Sequence, residues 1–128
     1  MNELRIDTAG QLTRDPELRY TQSGKAVANF SIAVNSNYRD AEGVWTDREP
    51  VYLDCTVWGD QAERLAPLFS GDRVMVSGKL LSRSFTAERG ERAGQTVRRL
   101  EVQVDELGAS LLRADVMVTR ARRGGPVE

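Results

Sequence analysis

Residues 51–58 read Val51-Tyr52-Leu53-Asp54-Cys55-Thr56-Val57-Trp58 and indicate the fold more clearly than any other segment. The odd positions are all apolar, whereas the even positions hold polar or aromatic side chains. Because successive side chains of a β-strand point to opposite faces of its sheet, this alternation is typical of a strand with one buried face. We therefore predict a strand here, with Leu53, Cys55 and Val57 in the core.

Four other segments alternate in the same way, two before this strand and two after it. Their apolar faces are expected to contain Leu4, Ile6, Thr8, Gly10 and Leu12 in the first, Ala26, Ala28, Phe30, Ile32 and Val34 in the second, Val74, Val76, Gly78 and Leu80 in the fourth, and Leu100, Val102 and Val104 in the fifth. Turn signals at Asp15-Pro16, Ser23-Gly24 and Gly90 fall outside these segments.

The segment between the third and fourth predicted strands favours a helix. Apolar residues recur there at helical spacing, namely Ala62, Leu65, Ala66 and Phe69. Asp60 is expected to cap the helix and Pro67 to shorten it, and we expect Phe69 in the core. Three strands, a helix and two strands, in a chain of 128 residues, are the plan of the all-β OB fold, a five-stranded barrel.

We assign residues 1–110 to a single OB-fold domain. A sixth alternating run follows, with Leu112, Ala114, Val116 and Val118 on one face. We expect residues 111–119 to form an extra C-terminal strand that extends a sheet or clasps a partner. Residues 120–128 contain Gly-Gly-Pro and are expected to form a flexible end.

Composition excludes several classes of protein. The 128 residues include no histidine and a single cysteine, Cys55, which removes the commonest general base and zinc ligand and any internal disulfide. No apolar run approaches the ~20 residues that span a bilayer, and no charged-then-apolar leader opens the chain. We expect a cytoplasmic protein with no catalytic residues, no cofactor, no metal and no membrane partner.

The aromatic side chains lie on the faces that a core would not use. Tyr52 and Trp58 occupy the polar face of the third strand, and Phe85 follows cations on the polar face of the fourth. The long polar loop of residues 35–50 adds Tyr38 and Trp45. Exposed rings interleaved with arginines suit single-stranded nucleic acid, because each unstacked base that lies on a ring contributes ~1–3 kcal/mol. The same rings would also suit a barrel end or a subunit interface.

The distribution of charge favours the nucleic-acid interpretation more than the net charge of −1 does. Five arginines against two glutamates give residues 83–99 a local charge of +3. Of the 18 cationic residues only two are lysines, and arginine can stack on bases as well as pair with phosphate. We predict phosphate contacts from Arg14, Lys25, Arg39, Arg73, Lys79, Arg83 and Arg98.

Several blocks of sequence resemble the bacterial-type single-stranded DNA-binding protein (SSB) family. They are residues 12–20 (LTRDPELRY), 24–30 (GKAVANF), 58–63 (WGDQAE) and 70–78 (SGDRVMVSG), and the resemblance covers about residues 3–107. It implies an OB fold, a homotetramer, and sequence-independent binding that protects single strands during replication, recombination or repair at the nucleoid. It also implies base stacking at positions that match Tyr38, Tyr52, Trp58 and Phe85, which the argument from strand faces selects independently.

The resemblance has further implications at the C-terminal end. Residues 111–119 look like the extra strand with which one subgroup of the family clamps its subunits together. Many members carry a Gly/Pro-rich linker with an acidic tip that recruits replication and repair proteins. Residues 120–128 are basic instead, so recruitment through such a tip is not expected here.

Two other functions stay open on the sequence alone. A nuclease would need clustered carboxylates for a metal, and the only close groups are Asp105 with Glu106 and Asp47 with Glu49. Neither group is accompanied by a general base or a Gly-rich phosphate loop. Alternatively, an OB barrel that serves as an assembly subunit would bury Trp58 in an interface.

Overall fold

The computed structural model describes residues 2–91 and 93–121 of the chain. In chain order the elements are β1 (Arg5–Leu12), β2 (Glu17–Tyr20), β3 (Ala26–Val34), β4 (Asn37–Arg39), β5 (Trp45–Asp47), β6 (Val51–Trp58), α1 (Asp60–Leu65), β7 (Arg73–Thr86) and β8 (Thr96–Ala109). The five predicted strands correspond to β1, β3, β6, β7 and β8, and the all-β OB prediction is confirmed. The described part of the chain contains no helix long and apolar enough to cross a membrane.

The five principal strands pair in a ring. β1 pairs antiparallel with β7 along most of its length and with β3 through Gln11 and Leu12. β3 continues the ring to β6, and β6 runs parallel to β8. β8 returns to β7, so the hydrogen-bonded ladder closes on itself. Closure removes most free strand edges, and it gives every strand an inner and an outer face.

The inner faces form the core that the alternation predicts, except that Leu4, just before β1, and Leu100 of β8 are exposed. Phe30 and Ile32 of β3, Val57 of β6 and Val74 of β7 are at most 1% exposed. The helix α1 closes one end of the barrel with Ala62 and Leu65, which pack into the same cluster. Burial of this apolar surface is the main stabilising term of such a fold.

A β-bulge interrupts the pairing of β7 with β8 between Ser77 and Gly78. The side chain of Gln61 in α1 takes up the backbone groups of β8 beside it. Its Nε2 donates to the carbonyl oxygen of Asp105 at 2.8 Å, and its Oε1 accepts from the backbone N–H of Leu107 at 2.9 Å. One amide therefore satisfies both a donor and an acceptor of β8 and ties the helix to the barrel.

The helix begins and ends differently from the prediction. Gly59, with φ of 78°, is the N-cap, and Asp60 is the first helical residue. The helix stops at Leu65, two residues before Pro67, so the predicted stripe is cut short. Phe69 therefore lies outside the core and is 66% exposed, which makes its predicted burial wrong.

Three segments depart from the expected pattern of strands. The long loop contains its own two-stranded sheet, β4 with β5, and the turn region after β1 contains the short strand β2. Residues 111–119 form no strand in this single chain; Leu111, Leu112 and Met117 are exposed there. An extra strand at this position would need a partner to pair with. Of the predicted flexible end, residues 122–128 lie outside the described residues.

Candidate nucleic-acid interface

Both aromatic residues of β6 lie on the outside of the barrel. Trp58 is 48% exposed and Tyr52 is 64% exposed, whereas Leu53, Cys55 and Val57 between them are buried. Val27 of β3, which is paired with Trp58 of β6, is itself buried. The indole therefore lies beside a buried apolar side chain and keeps part of its own surface open to solvent.

An open cleft of about 460 Å³ lies on this outer face beside Trp58. We call it the Trp58 cleft; its charged lining residues are Arg14, Arg19, Arg83, Arg99, Asp54 and Glu101. Four cations against two carboxylates give the lining a formal charge of +2. Because the whole chain carries −1, the positive charge is concentrated where the ring is exposed.

Two ion pairs hold the guanidinium groups of the cleft in place. Nε of Arg83 lies 2.5 Å from a carboxylate oxygen of Glu101, and Nη2 of Arg99 lies 2.7 Å from one of Asp54. Exposed ion pairs add little to stability, about 0–1 kcal/mol, so their main effect is on geometry. Each arginine keeps other N–H groups that these bonds do not use.

Lys25 lies over Trp58, and Tyr20 lies at the end of β2. The ammonium of Lys25 lies 5.6 Å from the centroid of the Trp58 ring, within the range of a cation–π contact. Tyr20 is 56% exposed, and its hydroxyl donates to Glu63 of α1 at 2.9 Å. That hydrogen bond to a carboxylate raises the pKa of the Tyr20 phenol.

The β4–β5 hairpin carries a second set of rings and arginines. Tyr38 is 40% exposed and Trp45 is 63% exposed. The guanidinium carbon of Arg48 lies 4.9 Å from the Tyr38 centroid, and that of Arg39 lies 5.5 Å from the Trp45 centroid. Each of these rings is thus already partnered by a cation of its own segment.

The distal part of β7 and β8 forms a hairpin that projects beyond the barrel. Residues 81–86 of β7 are all exposed, in contrast to the alternating burial of residues 73–80. Phe85 is 44% exposed and lies two residues after Arg83, so both side chains share a face. The predicted stacking ring at Phe85 is therefore open to solvent and on the same face as an arginine of the Trp58 cleft.

Besides Arg39 on the β4–β5 hairpin, three predicted phosphate contacts lie away from the Trp58 cleft. Arg98 pairs with Ser84, on the hairpin face opposite Arg83 and Phe85. Lys79 forms an ion pair with Glu3 at 3.2 Å. Arg73 is half-buried near the other end of β7, and its Nε finds no hydrogen-bond partner within the described residues.

Two cations of the Trp58 cleft, Arg19 and Arg99, were not among the predicted site residues. Arg99 could have been found, because it alternates with Glu101 and Gln103 on the polar face of the fifth predicted strand. Arg19 could not be found in this way, because β2 has only four residues and shows no clear alternation of polar and apolar side chains.

The carboxylates that a nuclease would need are not assembled. Within the described ranges, 2–91 and 93–121, no three Asp, Glu, Cys or His side chains are grouped as metal ligands. Asp105 instead pairs with Arg5 at 2.7 Å. Burial, and secondarily the charges of Asp54 and Glu101, raise the pKa of the Cys55 thiol from 9.0 to about 12, so the thiol stays protonated at neutral pH.

Comparison with known proteins identifies the family. Residues 1–110 match the model of the single-strand binding protein family. A single-stranded DNA-binding protein from Mycobacterium tuberculosis is 47% identical over 122 residues, which are 94% of this chain and 72% of that protein. One from Paenarthrobacter aurescens is 46% identical over 123 residues, 94% of this chain and 70% of that protein.

A solved structure agrees with these matches. The small single-stranded DNA-binding protein from Streptomyces coelicolor superposes with a TM-score of 0.76 at 28% identity, over 89% of this chain and all of that one. Sequence, fold and the cationic cleft beside an exposed indole all lead to the same conclusion. This chain belongs to the single-strand binding protein family.

Proposed function

We propose that this chain binds single-stranded DNA, whatever its sequence, by stacking bases on Tyr38, Tyr52, Trp58, Phe85 and Trp45 while cations contact the phosphates. Binding of single-stranded DNA without catalysis follows from membership of the family. The stacking mechanism is our inference. The observation that carries it is the Trp58 cleft, where an exposed indole lies among four arginines.

Stacking explains why such a surface prefers single strands. Every base has a flat face, so a ring accepts any base and the contact needs no hydrogen-bond code. In a duplex those faces are covered by the neighbouring base pairs, so an exposed ring of the protein cannot stack on them. The five proposed rings are between 40% and 64% exposed, which leaves each with surface to offer.

The cations beside the rings are the best placed to contact phosphates. Arg14 and Arg83 line the Trp58 cleft, Lys25 lies over Trp58, and Arg39 lies over Trp45. Each phosphate neutralised by such a group releases a counterion, so the salt slope should change by about 0.7 per contact. Arg73, Lys79 and Arg98 lie on other surfaces and would contact a strand that continues around the barrel.

A protein with these properties protects single strands that are exposed during replication, recombination and repair. We place it in the cytoplasm, on the nucleoid, because that is where its ligand arises. No recruitment of partners through a C-terminal tip is part of this proposal.

We also propose that the chain assembles as a homotetramer built from dimers. Residues 5–10 of β1 pair with β7 on one side only, so their other edge is open to a second chain. An apolar cleft of about 530 Å³ lies nearby, lined by Ala9, Met75 and Leu107 among others, and Met75 is 55% exposed. In the assembly, residues 111–119 would form the extra strand that clamps subunits.

The test of binding is tryptophan fluorescence during titration with oligo-dT, at low and high salt, with a duplex control. We expect quenching by the single strand only, weaker at high salt. Because the chain has two tryptophans, Trp45→Phe and Trp58→Phe assign the signal to one ring or the other. A gel shift separates silent rings from absent binding. If neither the titration nor the gel shift detects oligo-dT, the chain serves as an assembly subunit instead.

A further inference from the structure

A chain of hydrogen bonds that ends in an ion pair crosses the outer face of the sheet along the Trp58 cleft. It contains one side chain from each of five adjacent strands, β2, β3, β6, β8 and β7, in that order. The side chains are Arg19, Asn29, Thr56, Glu101 and Arg83. Both ends of this chain, which we call the cross-sheet chain, are therefore arginines.

The protons of the cross-sheet chain have only one consistent arrangement. Thr56 has a single hydroxyl proton, and it donates that proton to Glu101 at 2.7 Å. The 3.2 Å contact of the Thr56 oxygen with Asn29 must then be an N–H donated by Asn29. This turns the amide oxygen of Asn29 toward Arg19, whose Nη1 and Nη2 donate to it at 2.9 and 3.2 Å.

The other end of the cross-sheet chain is anchored by a carboxylate. The side chain of Glu101 is 13% exposed, and Arg83 binds it through Nε. Because Arg83 uses Nε for this bond, its two terminal nitrogens stay free for a second anion. Arg19 likewise uses two of its five N–H groups and has no carboxylate partner within 4.0 Å among the described residues.

The strand order sets how far apart the two arginines lie. Thr56 and Trp58 both belong to β6, the middle one of the five strands. Adjacent strands are about 4.8 Å apart, so four steps from β2 to β7 measure roughly 19 Å along the curved sheet. A single strand that touches both arginines therefore crosses β6, the strand that carries Trp58 two residues after Thr56.

We infer that Arg19 is a further phosphate contact and that Asn29, Thr56 and Glu101 are positioning residues, which hold Arg19 and Arg83 at opposite edges of the Trp58 cleft. The inference rests on the proposed function. Hydrogen bonds in such a chain polarise one another, so breaking it in the middle loosens both ends. Fixing long side chains before the ligand arrives lowers the entropy that binding has to overcome.

The test of Arg19 compares salt slopes for oligo-dT binding. Arg19→Ala is expected to lower the slope by about 0.7, as is Arg83→Ala, and to weaken binding about threefold to tenfold. Arg64→Ala is the matched control, because Arg64 is an exposed arginine on α1 outside the cleft; its slope should equal that of the parent. An unchanged slope for Arg19→Ala overturns the assignment of Arg19.

The test of the cross-sheet chain changes no charge. Thr56→Val removes the hydroxyl at nearly constant volume and should weaken binding several-fold, while Thr56→Ser keeps the hydroxyl and should bind like the parent. In the Thr56→Val background, Arg19→Ala should cost less affinity than it does alone, which a merely structural role of Thr56 would not produce. Equal binding by Thr56→Val and Thr56→Ser overturns the positioning role.

A second variant and the binding of the parent protein separate a failure of this inference from a failure of the proposed function. If Thr56→Val does not fold, Asn29→Ala interrupts the same chain one strand away and carries the same expectations. Loss of oligo-dT binding by the parent protein would contradict the proposed function itself. Normal binding by the parent with no effect of any of these substitutions would contradict only the inference.

Discussion

The Trp58 cleft and the β4–β5 hairpin contain the same chemistry, aromatic rings beside arginines, on different supports. In the cleft, side chains from five strands of the barrel sheet hold the guanidinium groups. In the hairpin, each arginine lies over a ring of its own segment, and Asp40 closes the turn by accepting from the backbone N–H groups of Glu42 and Val44. An isolated two-stranded ribbon is only marginally stable, whereas a barrel is rigid. The proposed binding surface therefore combines a preorganised part, the Trp58 cleft, with an adaptable part, the β4–β5 hairpin.

The largest effect is expected from a substitution that destabilises the barrel itself, at Gly78. A Cβ added there would collide with the backbone carbonyl of Gln103 at the bulge. Gly78→Ala should lower the free energy of unfolding by about 1–3 kcal/mol, measured by urea denaturation. Oligo-dT binding should be lost at a lower urea concentration than in the parent, because the Trp58 cleft exists only in the folded barrel.

Gly108→Ala is the matched control for this effect. It lies on the same strand pair, and an added Cβ there meets nothing within 4 Å. If the two alanine variants unfold at the same urea concentration, the backbone of Gln103 does not restrict the side chain at position 78.

The next largest effect should come from the ring of the preorganised part. Trp58→Ala is expected to weaken oligo-dT binding by about 1–3 kcal/mol without changing the free energy of unfolding. Phe69→Ala is the control, because Phe69 is also exposed but lies outside the cleft. An insoluble Trp58→Ala variant, or one with altered oligomeric state, would mean that the ring packs in an interface.

The ring of the adaptable part should matter less. Trp45→Ala is expected to cost about 1 kcal/mol or less, because Arg39 already lies over that ring and the hairpin loses freedom when it binds. The same titration measures it. A cost equal to that of Trp58→Ala would show that the hairpin is as well ordered as the sheet.

The effect that is smallest at neutral pH comes from the buried thiol of Cys55, which changes the stability only in alkaline solution. The pKa of Cys55 is about 12 in the folded chain and about 9.0 when the thiol is exposed. Between these values the folded chain keeps a proton that the unfolded chain releases, so the free energy of unfolding falls as the pH rises above 9.0. Urea denaturation at several alkaline pH values should show this fall to be shallower in Cys55→Ala. Parallel curves would mean that the thiol is not buried.

The sequence predicts the barrel well because its alternation is dictated by burial. Residues 51–58 show this clearly, since Leu53, Cys55 and Val57 are buried as the pattern requires. The same alternation places Trp58 and Tyr52 outside. A face of a strand is a local property, so periodicity alone is enough to predict it.

The parts that sequence could not predict depend on contacts between distant segments. Arg19 and Glu101 reach the same cleft because β3 and β6, which lie between β2 and β8, join these two strands into one sheet. Arg73 and Arg98 are as basic as Arg83, yet they lie on other surfaces. Phe69 fits a helical stripe, but the helix ends before it can turn inward.

The bond between Gln61 and β8 has a consequence for local motion. The helix α1 is six residues long, too short to be stable by itself, and the N–H of Leu107 is held by the Gln61 side chain. When α1 detaches, that N–H loses its partner while the neighbouring ladder of β7 and β8 stays paired. Hydrogen exchange at Leu107 therefore reports undocking of the helix, a smaller opening than the unfolding of the whole barrel.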